Sequence, residues 1–263
     1  MKFFKLFTIV ILVFAQAGCV SNPDITSKAS VVSWSNIGEA AYQSVKSKNT
    51  WVPLIGAVII PLAEWDRDIV DWASEKTPIF GSNEEAGDIS DRLNDLGKLN
   101  LIASSLMTPD KKGSVIHNNA TRLGFSAFAL SVTSSMTNTI KSNVGWLRPD
   151  KSDRRTFPSG HSSRASTQAA LSNSNIQRMS QLTSQQRRYW QMSTSTVAVL
   201  TAWARVEGDK HFFSDVLAGY ALGNFIGNFV SKAFIEPLLD QDTLVNITSQ
   251  HDKSLTIQMG FKF

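Results

Sequence analysis

The sequence predicts an all-α domain, a compact helical bundle followed by a short C-terminal β-hairpin. Three observations carry this reading. Helical periodicity recurs at about 89–107, 120–147, 160–176, 184–206 and 212–236. Three of these segments hold long uncharged stretches (Gly124–Ile140, Tyr189–Ala204 and Val216–Ser231), each seeded with Ser, Thr, Asn or Gln and at or below the length that spans a bilayer. The tail instead alternates with a period of two, as a strand does. A chain of 263 residues with 42% apolar and 18% charged residues has material for one good-sized core and is not a disordered polymer. Its mean hydropathy of −0.09 is low for a polytopic membrane protein, which stands as the alternative architecture.

Taken in order, "MKFFKLFTIVILVFAQAGC" has Lys2 and Lys5, an apolar run and then small residues. Residues 1–18 therefore read as a secretory signal peptide; the apolar run is too short to be a comfortable membrane anchor. Cys19 is the only cysteine, so it makes no internal disulfide. "QAGC" resembles a bacterial lipobox, with Gln16 where leucine is usual. This implies lipidation of Cys19 and a membrane anchor, with ordinary cleavage as the alternative. Val20 is not aspartate, which by the usual sorting rule points to an outer membrane. Removing residues 1–18 leaves 24 cations against 22 anions, a net charge of +2. That balance and the absence of a basic run exclude a typical nucleic-acid binder.

Residues 19–50, rich in Ser, Asn and Lys, read as a tether, and the domain proper as 51–238. "WVPLIGAVIIPLAEW" (51–65) is apolar, carries Pro53 and Pro61, and is shorter than a span. "EKTPIFGSNEEAGD" (75–88) reads as a loop. In 239–263, "TLVNIT" and "SLTIQMGFKF" flank "SQHDK" and form the expected hairpin, its face of Leu255, Ile257, Met259 and Phe261 packing on the bundle, with a membrane surface or a second subunit as the alternative.

Three stretches carry candidate chemistry. "KSNVGWLRP" sets Lys141 and Arg148 seven residues apart, which on a helix puts both cations on one face, roughly 10 Å apart by rise. Pro149 is expected to end that helix. In "PSGH", Ser159 can cap a helix, Gly160 allows close backbone approach, and His161 falls in the first turn, where free N–H groups favour an anion. In "ARVEGDKHFFSD", Arg205 ends one helix, and His211 and Asp215 are four apart at the start of the next. Asp215 can hold the proton on one imidazole nitrogen and leave the other as a lone pair. Each stretch alone has an ordinary structural explanation: a solvated cationic face, a capped helix, a structural His–Asp hydrogen bond.

In combination, K-x6-RP, PSGH and R-x5-H-x3-D, in this order and spacing, resemble the type 2 phosphatidic acid phosphatase (PAP2) superfamily, which includes lipid phosphatases, class A acid phosphatases and vanadium haloperoxidases. The likeness covers roughly residues 90–235, and "HFFSDVLAGYALG" continues it past the second histidine. One departure is Ala204, where the third motif usually has serine. The resemblance implies a bundle of antiparallel helices and a set of roles. His211 would attack phosphorus and become a phosphohistidine, and Asp215 would hold its tautomer. His161 would protonate the leaving oxygen and then activate water. Lys141, Arg148, Ser159, the Gly160 amide and Arg205 would bind the phosphate oxygens. Three cations and a helix N-terminus can stabilise a phosphoryl transition state by charge alone, so neither a metal nor a cofactor is expected. His117 and His251 lie outside these motifs and read as surface or structural. The expected substrate is a phosphorylated lipid or a small organic phosphate. A vanadate-dependent haloperoxidase and a non-catalytic surface lipoprotein are the other two classes.

Overall fold

A computed structural model describes residues 34–109, 114–240, 247–249 and 255–257. The signal peptide, Cys19, the first part of the tether, and His251 lie outside the described residues. Helices α1 (Trp34–Lys46), α2 (Lys48–Leu62) and α3 (Trp65–Lys76) lead into five longer ones. These are α4 (Asn83–Met107), α5 (Val115–Val144), α6 (Gly160–Gln177), α7 (Ser184–Glu207) and α8 (Phe213–Val230). A π-helical turn (Ser231–Ile235) and α9 (Glu236–Asp240) follow. The only strands among the described residues are β1 (Ile247–Ser249) and β2 (Leu255–Ile257), paired antiparallel with Ile247 opposite Ile257. At three residues each they do not alter the all-α class. How their side chains pack lies outside the described residues.

Helix α6 occupies the centre and packs on α4, α5, α7 and α8. Its sequence explains how it can. Of 18 residues, 12 are buried, and most of these are Ala, Ser or Thr. Small side chains let neighbouring backbones approach, and their hydroxyls find carbonyls instead of water. Ser162, Ser166 and Thr167 donate to the carbonyls of Val216, Tyr220 and Gly223 on α8 at 2.5, 2.7 and 3.1 Å. From the other side of this seam, α8 presents Gly219, Gly223 and Gly227, one per turn.

Larger apolar residues fill the two ends. Leu101, Ala129, Leu171, Ile226 and Val230 form one cluster, closed by Phe125 stacked on Phe234 at 5.5 Å. Val70, Ala73, Ala202, Val206 and Val216 form the other, with Trp203 edge-on to Phe213.

Four expectations need correction. The tether is helical from Trp34 onward, because Ala40 and Ser44 recur at helical spacing and bury against the bundle. Ser47 and Thr50, also within it, donate to Asn224 Oδ1 on α8 at 3.2 and 3.0 Å. The loop expected at 75–88 spans only 77–82, since Ser82 caps α4 by accepting from Glu85 N at 3.1 Å. Pro149 does not end α5. The helix stops at Val144, where Gly145 takes φ +63° and its N–H donates to Lys141 O at 3.2 Å, a left-handed cap that glycine adopts without strain. His211 is not helical either; it precedes α8.

Helix α2 is unlike the others. Lys48 is its one charged residue, and Trp51, Val52, Leu54, Ile55, Val58, Ile59 and Leu62 are all exposed. Gly56 lies on its inner side, where an added Cβ would stand 2.9 Å from Leu217 of α8. Among the described residues no helix is long and apolar enough to cross a membrane.

Candidate active site

Each of the three motifs sits at a helix end, and the ends converge. Lys141 is in the last turn of α5; Arg148 follows in the loop that runs to α6. Ser159 is the N-cap of α6, with Gly160 and His161 in its first turn. Arg205 is in the last turn of α7, His211 in the next loop, and Asp215 in the first turn of α8. Backbone bonds join these ends: Ser159 N donates to Asp215 O at 3.0 Å, and His211 N to Arg205 O at 3.1 Å.

The loop after α5 is built around two cations. Lys141 Nζ is buried and donates to the carbonyls of Arg155 and Thr156, the latter at 3.3 Å. Burial, reinforced by the field of Arg148, brings the Lys141 pKa down to about 8. Arg148 Nε donates to Asp153 Oδ1 at 2.8 Å, and Asp153 also accepts from Arg155 N at 2.8 Å. This holds one edge of the guanidinium and leaves it in the field of its neighbours. A Cβ built on Gly160 would come within 3.9 Å of Lys141 Cε. The space beside the Gly160 amide therefore adjoins the lysine stem.

His211 is buried, and Asp215 beside it is too. Their closest approach, Nδ1 to Oδ2, is 3.7 Å, too long for a hydrogen bond. Thr156 bridges them instead. Its hydroxyl donates to Asp215 Oδ2 and lies 3.3 Å from His211 Nδ1. A hydroxyl whose hydrogen is committed to a carboxylate can only accept from the ring. The proton therefore sits on Nδ1, and Nε2 is the lone pair. Asp215 Oδ2 also accepts from Phe212 N at 2.9 Å, while Oδ1 is buried with no protein partner. Burial raises the Asp215 pKa to about 6, against the hydrogen bonds from Thr156 and Phe212. Burial and then the fields of Lys141, Arg205, Arg148 and His161 hold the His211 pKa well below its ordinary value. The motif residues thus share one electrostatic neighbourhood around the buried His211 ring.

The opposite wall comes from α7 and α4. Arg205 is buried; its Nη1 donates to Ser90 Oγ at 3.4 Å, and its buried Nε has no protein partner. Burial, then the field of Arg148, lowers the Arg205 pKa to about 10. His161 Nε2 lies 2.6 Å from Asp91 Oδ1. Burial and the field of Arg205 lower the His161 pKa to about 4, opposed by its bond to Asp91.

All eight candidate residues for catalysis and substrate binding are thus placed around one site. Sequence reading missed Thr156, Asp153, Ser90 and Asp91. Thr156 stands three residues before Ser159 and Asp153 five after Arg148, but neither had a spacing signal of its own. Ser90 and Asp91 lie some 70 residues before His161, so only the fold brings them near. His117 is in the first turn of α5, outside the site. Among the described residues no group of three His, Cys, Asp or Glu side chains is placed to hold a metal ion.

An imidazole lone pair, a second imidazole and three cations around one space form an arrangement suited to an anion that reacts at its centre. Comparison with known proteins agrees. Residues 122–236, which contain all three motifs, match the family model of the PAP2 superfamily. The chain is 31% identical over 101 residues to a lipid A 1-phosphatase of Porphyromonas gingivalis. That match covers 38% of this chain and 21% of the relative, so this chain spans about a fifth of that protein. In fold it is similar to a transmembrane PAP2-type phosphatidylglycerolphosphate phosphatase from Bacillus subtilis, with a TM-score of 0.55 and 22% identity. The superposition covers 72% of this chain and 94% of the other. The three motifs assembled on that fold all lie within residues 122–236, the part of the chain that matches the PAP2 superfamily model.

Proposed function

We propose that this chain is a phosphatase that hydrolyses a phosphomonoester or pyrophosphate of a membrane lipid through a phosphohistidine, without a metal. The observation that carries the reading is the buried His211, its Nδ1 edge against Thr156 and Asp215, beside Lys141, Arg148, Arg205 and His161. Nε2 attacks phosphorus as the bond to the leaving oxygen breaks, and His161 gives that oxygen its proton. The Nδ1 proton stays in place, turned toward Thr156 and Asp215, and the carboxylate offsets the charge that the ring gains. In the second step His161 takes a proton from water. The hydroxide attacks phosphorus, the P–N bond breaks, and His211 leaves as the neutral ring. Lys141, Arg148, Arg205, Ser159 and the Gly160 amide hold the three equatorial oxygens, where transition-state charge is spread.

The charge that many phosphatases draw from metal ions comes here from side-chain cations. Turnover is therefore expected to persist in EDTA and to be blocked by vanadate, which mimics the five-coordinate state. Phosphate release from p-nitrophenyl phosphate checks both. Loss of turnover in EDTA with recovery on adding a divalent ion would overturn the metal-free reading.

The lipid assignment draws on the two relatives, whose names carry lipid phosphates, and on the exposed face of α2. Seven apolar side chains on a 15-residue helix with one lysine suit the boundary of a bilayer, with Trp51 and Trp65 at headgroup depth. A lipid on Cys19, 15 residues before Trp34, would hold this face at a membrane, which we place facing the periplasm at the outer membrane. Replacing Leu54, Ile55, Val58 and Ile59 together by Ser should lower turnover of a phosphorylated lipid in vesicles by at least about tenfold, since losing the burial of even one aliphatic side chain, about 1.5–3 kcal/mol, already corresponds to that factor. Turnover of p-nitrophenyl phosphate should be unchanged. Equal loss on both substrates would mean that this face serves the fold.

A further inference from the structure

Helix α4 lies wholly outside residues 122–236, yet it supplies two consecutive side chains to the site. Ser90 Oγ receives Arg205 Nη1, and Asp91 Oδ1 meets His161 Nε2 at 2.6 Å. The approach of α4 is fixed from α7 as well. The buried Glu207 carboxylate accepts from Ile79 N at 3.2 Å, Phe80 N at 3.0 Å and the Trp203 indole, which pins the loop entering α4 two residues beyond Arg205.

We infer that Asp91 is the positioning residue of His161, holding Nε2–H so that Nδ1 is the nitrogen that exchanges a proton with substrate. The site then contains two carboxylate–imidazole pairs with different linkages. Asp215 reaches His211 through the Thr156 hydroxyl, whereas Asp91 meets His161 directly.

The charges around His161 show what the pair must accomplish. Arg205 of α7 and Arg164 of its own helix both disfavour its protonated form. Lys141 of α5 lies beside the adjacent Gly160, and His211 comes from the loop before α8. Facing these cations, Asp91 favours the proton both through the hydrogen bond and through its charge. A general acid must carry its proton when the leaving oxygen departs. A bound phosphate dianion offsets the cations, and Asp91 adds to that effect while fixing the ring. Nδ1–H goes to the leaving oxygen in the first step, and Nδ1 takes a proton from water in the second. Nε2–H remains on Asp91 throughout.

This inference rests on the phosphatase reading for its chemistry, but its test does not. Asp91 is 69% exposed at its side chain, so Asp91→Asn keeps shape and should keep the fold. In a ¹H–¹⁵N titration, with the His161 signals identified from their loss in His161→Gln, the His161 pKa should fall by about one unit in Asp91→Asn. That is the low end for losing an opposite charge in contact. An unchanged His161 pKa would overturn the inference, whether or not the protein hydrolyses anything. In kinetics, the alkaline limb of kcat on an alkyl phosphate should move to lower pH by the same amount, with Asp91→Glu restoring it in part. The limb moves down because a general acid of lower pKa is deprotonated sooner as pH rises. If the unmodified enzyme releases phosphate and this limb stays put in Asp91→Asn, the inference fails alone. If the unmodified enzyme releases none, the phosphatase reading fails and the titration still decides the pairing.

Discussion

His211→Ala is expected to remove phosphate release almost entirely, by roughly 10⁴-fold or more, the scale seen when a nucleophile that acts as part of a unit is deleted. The cations would still bind phosphate, but nothing else in the site can attack it. His161 is held through Nε2 by Asp91 at 2.6 Å with its Nδ1 serving the leaving oxygen, and Lys141 donates to two loop carbonyls. His161→Ala should behave differently. Its loss should cost roughly 10²–10⁴-fold on an alkyl phosphate, whose leaving oxygen needs a proton. A nitrophenolate needs little, so the first step survives, and the second stalls for want of a base. Labelled p-nitrophenyl phosphate should therefore leave an acid-labile phosphoryl group on the protein, close to one per chain, located on His211. Label on His161 in His211→Ala would reverse the two roles. Rapid turnover by His211→Ala would remove the phosphohistidine altogether.

The parts of this site legible in the sequence are those whose spacing is local. PSGH marked a helix N-terminus because capping chemistry is written within four residues, and Ser159 is the N-cap of α6. His211 and Asp215 were legible as neighbours from their four-residue spacing, although His211 stands before the helix and the two side chains come no closer than 3.7 Å. The agent between them, Thr156, was not legible. A threonine in a loop has no pattern, and it bridges them only because the loop after α5 folds back under Lys141. Asp91 was hidden for a related reason: it is one of several acids on α4, and only tertiary packing selects it. Helix boundaries failed where two stop signals competed. Pro149 was read as the end of α5, but Gly145 came first and can adopt a left-handed cap. The Ser- and Lys-rich stretch from Trp34 read as a tether because composition masked a sparse pattern: Ala40 and Ser44 alone bury in α1. The Gly219, Gly223 and Gly227 spacing was present in the sequence, but its meaning depends on what faces it.

That facing surface makes Gly223→Ala the largest expected effect on the fold. A Cβ at Gly223 would stand 2.0 Å from the Ser163 carbonyl oxygen and 2.8 Å from its carbon. Both are backbone atoms of the central helix, so no side chain can rotate away. Relief requires α6 and α8 to separate, and the hydroxyl seam between them, Ser162 to Val216, Ser166 to Tyr220 and Thr167 to Gly223, would open with it. The cost should reach about 3 kcal/mol or more, the upper end of overpacking. For a domain of this size that lowers Tm by roughly 6–12 °C. Activity should fall further than stability, because the same two helices carry the site. Ser159 N bonds to Asp215 O across them, and Gly219, one turn earlier, already sits so close that its own Cβ would be 2.4 Å from Ser159 O. Gly124→Ala is the control. It also lies inside a helix, α5, but its Cβ would meet nothing within 4 Å. There alanine should raise stability by up to about 1 kcal/mol through helix propensity alone. Thermal unfolding of the two variants, with activity measured well below either midpoint, separates close packing from propensity. Equal and small effects at Gly223 and Gly124 would mean that the two central helices are not held at backbone contact.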